Sequence, residues 1–344
     1  MNTNSLMPPA PDMIAGPTPE TVRAAVALAC RAPSLHNTQP WKWVFDGVVL
    51  HLYSDPARLL PETDPFGRQL LLSCGAVLDH LKVALAVRGW RALVVRFPDP
   101  TRLDHLAAIT FTPARFVTMA EHFLAEAIER RRTDRSPLSP PADWADFEPR
   151  ITELLEDYAA TATFLTQDSR GDLAQASRMT AARRRYDSMY RAELRWWTGH
   201  STQVDGVPAS VLATSGDSAR VPLGRTFPAG QTISAESAPE IDASALVVLG
   251  TEGDHPLDCL RCGEALSAVL LEATVAGYAT CTLTHLTELP ASRAVVAQLA
   301  PECGVPQVVI RVGAAANEPS DRPRTARRDV DSVFAMRPQT ARAY

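Results

Sequence analysis

Two stretches of this chain repeat one pattern, and the repetition limits the folds open to it more than any other feature. Residues 67–90 read GRQLLLSCGAVLDHLKVALAVRGW, and residues 260–281 read LRCGEALSAVLLEATVAGYATC. Each sets a Cys-Gly pair before an Ala/Leu-rich helical run that closes on a glycine, Gly89 in the first and Gly277 in the second. A glycine just past a helical run supplies the left-handed residue on which helices commonly end. The echo points to a duplicated α+β unit rather than two unrelated domains. At 344 residues the chain has the length for one large domain built from two halves.

The surrounding sequence fits that division. Thr18, Pro19 and Glu20 make a helix start, followed by Val22, Ala25, Val26 and Ala29 on one face, and Pro33 closes the helix. Residues 43–45 and 48–53 flank Asp46-Gly47, a dipeptide suited to a hairpin turn. A helix over about 66–88 and strands at 93–97 and 106–111 complete a first half, 18–114. In the second half, 115–344, Phe123, Ala127 and Ile128 form a helical face leading into Arg130, Arg131 and Arg132. The proline-rich residues 136–148 read as a linker and 151–196 as largely helical. The Gly-, Ser- and Pro-containing stretch 199–240 is too long for a plain connector, so it reads as a lid or a disordered insertion. Strands are expected at 244–250 and 307–313, a helix at 260–276, and a Pro- and Arg-rich tail after Asn317. Residues 1–17 lack the charged start and apolar stretch of a signal peptide and read as a disordered leader.

Composition narrows the function. Apolar residues make up 46% and charged residues 21% of the chain, a balance suited to a packed core. No run approaches 18 uninterrupted apolar residues, so no membrane span is expected. The net charge of −5 argues against binding nucleic acid through a bulk positive field. Lys42 and Lys82 are the only lysines among 34 basic residues, so the positive charge sits on arginine, whose clusters can grip a single phosphate. Six cysteines fit a reducing compartment and a cytoplasmic protein. Dinucleotide, Walker, H-E-x-x-H and G-x-S-x-G signatures are missing, and the Cys259/Cys262 pair lacks a second pair of metal ligands, so no metal is expected.

Two segments carry chemistry. APSLHNTQPWKW, residues 32–43, resembles the A-P-S-x-x-N-x-Q-P-W signature of nitroreductase-fold flavoproteins through Ala32, Pro33, Ser34, Asn37, Gln39, Pro40 and Trp41. RRTDR, residues 131–135, resembles the R-R-S-x-R element of the same fold through Arg131, Arg132, Thr133 and Arg135. In ordinary nitroreductases the arginine element comes first, and two chains pair to complete each FMN site. Here the order is inverted, and each half holds what the other lacks. The arrangement resembles the Acg family of actinobacterial, dormancy-associated nitroreductase-like proteins, from about residue 18 to 334.

The resemblance implies an α+β nitroreductase-like fold, internally duplicated so that one chain mimics the usual homodimer, with one FMN between its halves. Pro33, Ser34, Leu35 and Asn37 would line the flavin, with Asn37 or Ser34 on its pyrimidine edge. Asn37 and Gln39 also suit a plain turn cap, and Trp41 and Trp43 suit the core. Arg131, Arg132, Thr133 and Arg135 would surround the phosphate. Thr282, Leu283 and Thr284 would face the flavin N5 edge, with His285 read as a structural residue. In PRTARRDV, Arg327 and then Arg328 match the family's C-terminal phosphate element, although Asp329 stands where proline is usual. No catalytic side chain is expected, because flavin carries the hydride itself. The implied partners are FMN, NAD(P)H and a nitro-aromatic or quinone-like acceptor, in a monomer or homodimer; the alternative is an FMN store whose lid prevents turnover.

Overall fold

Thr18 opens helix α1 (Pro19–Ala29), its hydroxyl accepting from the Thr21 amide, while Val22, Ala25, Val26 and Ala29 bury one face. The computed structural model of the protein describes residues 16–199, 204–227, 241–316 and 324–337. Most of the expected leader, and residues 200–203 and 228–240 of the expected insertion, lie outside the described residues. Strands β1 (Trp41–Phe45) and β2 (Leu50–Ser54) form the expected antiparallel hairpin. Its turn rests on Gly47 at φ 99° and on Asp46 Oδ1, which accepts from the Val48 and Val49 amides. Helix α2 (Arg68–Ala86) and strands β3 (Trp90–Arg96) and β4 (His105–Pro113) follow.

The second half opens with α3 (Met119–Arg130), started by a reciprocal Thr118/Glu121 cap. Its buried face is Ala125, Ala127 and Ile128. Phe123, expected on that face, is 45% exposed. Helix α4 (Trp144–Glu156) begins inside the stretch read as a linker. Strand β5 (Thr161–Leu165) interrupts the region read as helical, because Thr161, Thr163 and Phe164 suit the edge position they take in a sheet. Then come α5 (Arg170–Arg184), α6 (Ser188–Trp197), α7 (Ser215–Arg220), β6 (Ala245–Thr251), α8 (Pro256–Val275), β7 (Ala279–Leu283), α9 (Pro290–Leu299) and β8 (Val305–Gly313). The chain returns through α10 (Val330–Val333) to β9 (Phe334–Met336).

The strands form two sheets, ordered β3-β4-β2-β1-β9 and β5-β6-β8-β7. All neighbours are antiparallel except β9, which lies parallel to β1 with Phe334 opposite Trp43. The last strand of the molecule therefore belongs to the sheet of the first half. Trp41 and Trp43 are buried in the core beneath that sheet, as expected.

Helices α2 and α8 cross at the middle of the molecule through the two Cys-Gly pairs. Both pairs lie inside their helices rather than before them. A Cβ on Gly75 would stand 2.8 Å from the Glu264 amide nitrogen and overlap the Leu260 carbonyl. A Cβ on Gly263 would stand 2.8 Å from the Leu72 Cα and overlap the Leu72 carbonyl. The contact is reciprocal: each glycine lets the other helix's backbone approach, so both must lack a side chain. Cys74, Cys259 and Cys262 are buried alongside. Among the described helices only α2 is long and apolar enough to cross a membrane, and it is enclosed by the rest of the protein.

Candidate functional site

The crossing leaves a cavity of about 340 Å³ between the halves. Of the residues singled out in the sequence, Pro33, Ser34, Leu35, Thr133, Arg135, Thr282, Leu283 and Thr284 border it. Their convergence has local causes. After α1 the chain turns through three left-handed residues, His36, Asn37 and Gln39, at φ 46°, 57° and 51°. Ser34 Oγ accepts from the Gln39 amide at 3.0 Å, and the Leu35 amide donates to Ser73 Oγ of α2 at 3.1 Å. Those bonds hold the turn against the mouth of the cleft. The arginine element runs beside β7: Thr133 bridges Thr280, and the Asp134 amide donates to the Thr280 carbonyl at 2.8 Å. Thr133 and Arg135 thereby face the same space as Thr282.

The other candidates lie outside the lining, each for a visible reason. Asn37 spends its amide hydrogens on the Gly206 and Ala326 carbonyls, 3.0 and 3.1 Å away, and so ties two segments together. Arg132 caps its own helix through the Glu129 and Arg131 carbonyls. Arg328 donates to the Gln39 and Ser332 carbonyls and stands 3.9 Å from Asp55. Arg327 caps α1, donating to the carbonyls of Cys30, Arg31 and Ala32. His285 is the expected structural residue, its Nε2 3.0 Å from Ser177 Oγ, though it also borders the cavity.

Arg131 is different. It is 7% exposed, and its Nε is buried with no hydrogen-bond partner; no ion pair is found for it among the described residues. Burial, with Arg132 and Arg31 adding to it, pushes its pKa down to about 10. Burial, with Arg131 and Arg31 nearby, pushes Arg327 down to about 9. Arg31 Nε and Arg132 Nε are likewise buried and unpartnered. A buried cation without a counter-charge is costly: Glu129 partly offsets Arg31 and Arg132, while burial and the neighbouring arginines prevail at Arg131 and Arg327.

The cavity repeats that polarity. Arg135, Arg178, Arg225 and Arg311 line it, and no lining residue is acidic. Arg311 is bound by Asp242, and Arg225 by Glu288 behind the wall. Burial lowers Arg135, as it does the neutral His36, which the Arg225 and Arg135 charges depress further. Apolar surface comes from Leu35, Leu72, Leu266, Val308 and Phe227. Phe227 lies 5.5 Å below the Arg135 guanidinium and edge-on to His36 at 5.9 Å. Gln69 faces in from α2 with a buried, unpartnered Oε1. Residues 213–227 of the insertion form one wall, held by Arg225 to Glu288 and by Arg58 to Asp205 at 2.9 Å.

Sequence reasoning missed Gln69, Arg225 and Phe227. Gln69 carried a weak signal, a polar residue directly before the Leu70–Leu72 run; Arg225 and Phe227 sit in a stretch with no periodicity at all.

The fold and the cleft define a single-chain α+β protein whose two halves enclose one apolar, cation-ringed site. No family model matches it. Over 322 residues it is 46% identical to the Mycobacterium tuberculosis (strain H37Rv) protein provisionally named "NAD(P)H nitroreductase acg", covering 93% of this chain and 97% of that one. It is 43% identical over 322 residues to the protein of the same strain provisionally named "NAD(P)H nitroreductase Rv3131", covering 92% of each. The chain belongs to the Acg family of nitroreductase-like proteins. Among solved structures, NfnB of Sphigopyxis sp. strain HMH, titled an FMN- and NADPH-dependent nitroreductase, superposes with TM-score 0.38 at 17% identity, over 61% of this chain and 96% of that one. A provisionally titled nitroreductase of Anabaena variabilis gives 0.41 at 10% identity, over 86% and 88%. Those two likenesses are too loose to carry an inference.

Proposed function

We propose that the protein is a single-chain FMN flavoprotein that accepts hydride from NAD(P)H and passes it to a nitro-aromatic or quinone-like acceptor; the names of its acg and Rv3131 relatives, NAD(P)H nitroreductase, support the donor and the nitro acceptor. The observation that carries the cofactor assignment is the unpartnered, buried guanidinium of Arg131, two residues from the cavity-lining Thr133. A phosphate monoester carries nearly two negative charges near neutral pH and supplies the missing counter-charge. Arg131 and the orphaned Nε groups of Arg31 and Arg132 would hold it, with Thr133 at the cavity edge.

The rest of the cleft fits a flat heteroaromatic ring. Leu35, Leu266 and Phe227 give apolar walls, and the free Oε1 of Gln69 would accept from a ring N–H. FMN, when bound, supplies the hydride-carrying ring; the protein supplies position and field. Arg135, with Thr282 and Thr284 beside it on the cavity wall, would present positive charge and hydroxyl donors to that ring. Exposed Arg178 borders the cavity and suits the phosphates of a nicotinamide donor.

The insertion favours a second reading. Residues 213–227 wall the cavity and are anchored through a buried ion pair, a construction suited to holding flavin while restricting nicotinamide access. Anaerobic mixing of the flavin-loaded protein with NADPH and with NADH separates the two. Bleaching of the flavin supports the reductase. A flavin that stays oxidised with both donors, and bleaches once residues 208–222 are replaced by a short linker, supports sequestration.

A further inference from the structure

We propose that His80 takes up a proton when a phosphate enters the Arg131 site, so that flavin nucleotide binding is proton-linked through a buried Asp79–Ser267–His80 chain. The inference rests on the reading of the cleft as an FMN site.

Placement comes first. Ala127 and Ile128 of α3 pack on Val83 of α2 and Leu271 of α8. About one helical turn from that contact, toward the cavity, lie Arg131, His80 and Ser267. Thr133, Ala76 and Leu266, flanking them, border the cavity itself. Arg131, His80 and Ser267 therefore form the buried layer directly behind its lining.

Hydrogen-bond polarity then fixes the tautomer. The Ser267 hydroxyl has one proton and gives it to Asp79 Oδ2 at 2.7 Å. Asp79 also accepts from the Tyr158 hydroxyl at 2.9 Å and pairs with Lys82 at 3.2 Å. Ser267 Oγ has only lone pairs left, so the 2.7 Å contact with His80 Nδ1 is donated by the imidazole. In the neutral ring Nε2 is then a bare lone pair. His80 is fully buried, and that Nε2 has no partner.

A bare lone pair repels a phosphate oxygen; a protonated Nε2 donates a charge-assisted bond to it. Before the anion arrives, burial and the Arg131 and Arg327 charges hold the imidazole well below its ordinary pKa, so it is neutral. The groups around it are Asp79 and Lys82 on its own helix, Ser267 and Glu264 on α8, Tyr158 after α4, and the two arginines. A phosphate dianion reverses the sign of the field at Nε2, while Asp79, relayed through Ser267, already stabilises charge at Nδ1.

The test is FMN binding by titration calorimetry around pH 8, where the FMN phosphate is already a dianion, in two buffers of different ionisation enthalpy. Wild type is expected to take up about one proton per FMN, with Kd weakening about tenfold per pH unit from 7.5 to 8.5. Riboflavin, which lacks the phosphate, is expected to bring no uptake. His80→Gln is expected to bind FMN without uptake and with a flat pH dependence. In case that variant misfolds, 15N-histidine spectra of wild type read the same event as protonation of Nε2 on adding FMN. Uptake that persists in His80→Gln, equal uptake with riboflavin, or a His80 Nε2 that stays bare overturns the proposal. FMN binding with no proton uptake overturns this inference alone; failure of FMN to bind overturns the cofactor reading with it.

Discussion

Replacing Arg131 by methionine should move stability and cofactor affinity in opposite directions. In the protein alone the Arg131 charge is 7% exposed and unpaired. Its pKa, pushed by burial from the ordinary guanidinium range down to about 10, corresponds to about 3 kcal/mol of unfavourable energy in the charged form. Methionine of similar length removes that cost and keeps most of the packing against α3. The flavin-free variant should therefore be more stable than wild type by about 1–2 kcal/mol, a rise in Tm of a few degrees for a chain of this size. The same variant lacks a charge-assisted bond to the phosphate, worth about 1.5–3 kcal/mol, so its FMN Kd should rise roughly ten- to hundredfold. Scanning calorimetry of the apo protein and FMN fluorescence titration measure the two effects. A variant that melts several degrees lower and binds FMN as tightly as wild type would refute the reasoning, because Arg131 would then be an ordinary structural cation.

Further outcomes follow from the same geometry. Gly75→Ala drives a methyl into the Leu260 carbonyl and should cost about 3 kcal/mol or more, seen as loss of soluble protein or a steeply lowered urea midpoint. Asp242→Asn strips the carboxylate that pairs with both Arg311 and Arg170, leaving buried cations, and should cost about 3–5 kcal/mol in chemical denaturation. Buried His36, His80 and His285 all have folded pKa values well below 6.5. The unfolded chain thus binds more protons below that pH, and each histidine withdraws about 1.4 kcal/mol of stability per pH unit as acid is added. Asp64, pushed up to about 6 by burial, works the opposite way and offsets part of one histidine's share. Denaturation at pH 5.5 should therefore show about 2–4 kcal/mol less stability than at pH 7.5; equal stability at the two would count against three neutral buried imidazoles.

Much of the fold was legible because its signals are local. Thr18 and Pro19 declare a helix start, and Asp46-Gly47 a turn, from neighbours alone. The paired Cys-Gly helices were visible as an echo, and the structure supplies its physical meaning: two backbones touching at Gly75 and Gly263. Strand β5 was hidden, because this half-exposed edge strand is dictated by its partner β6, more than eighty residues away in sequence, and not by its own composition. The site divided in the same way. The Ser34 turn and the Thr133–Arg135 segment were readable through the family resemblance that their motifs carry. Arg225 and Phe227 were not, since what aims them at the cavity is a long-range ion pair with Glu288 and an edge contact with His36. Arg31 gave no sign of itself either; only the folded chain brings it beside Arg131.

The most direct trial of a cleft completed within one polypeptide is the stoichiometry of FMN on the flavin-free protein, measured by fluorescence titration against protein concentration and chain mass. Saturation at one FMN per chain, whatever the oligomeric state, is the result expected here. Saturation at one FMN per two chains, or no saturable binding, would contradict it.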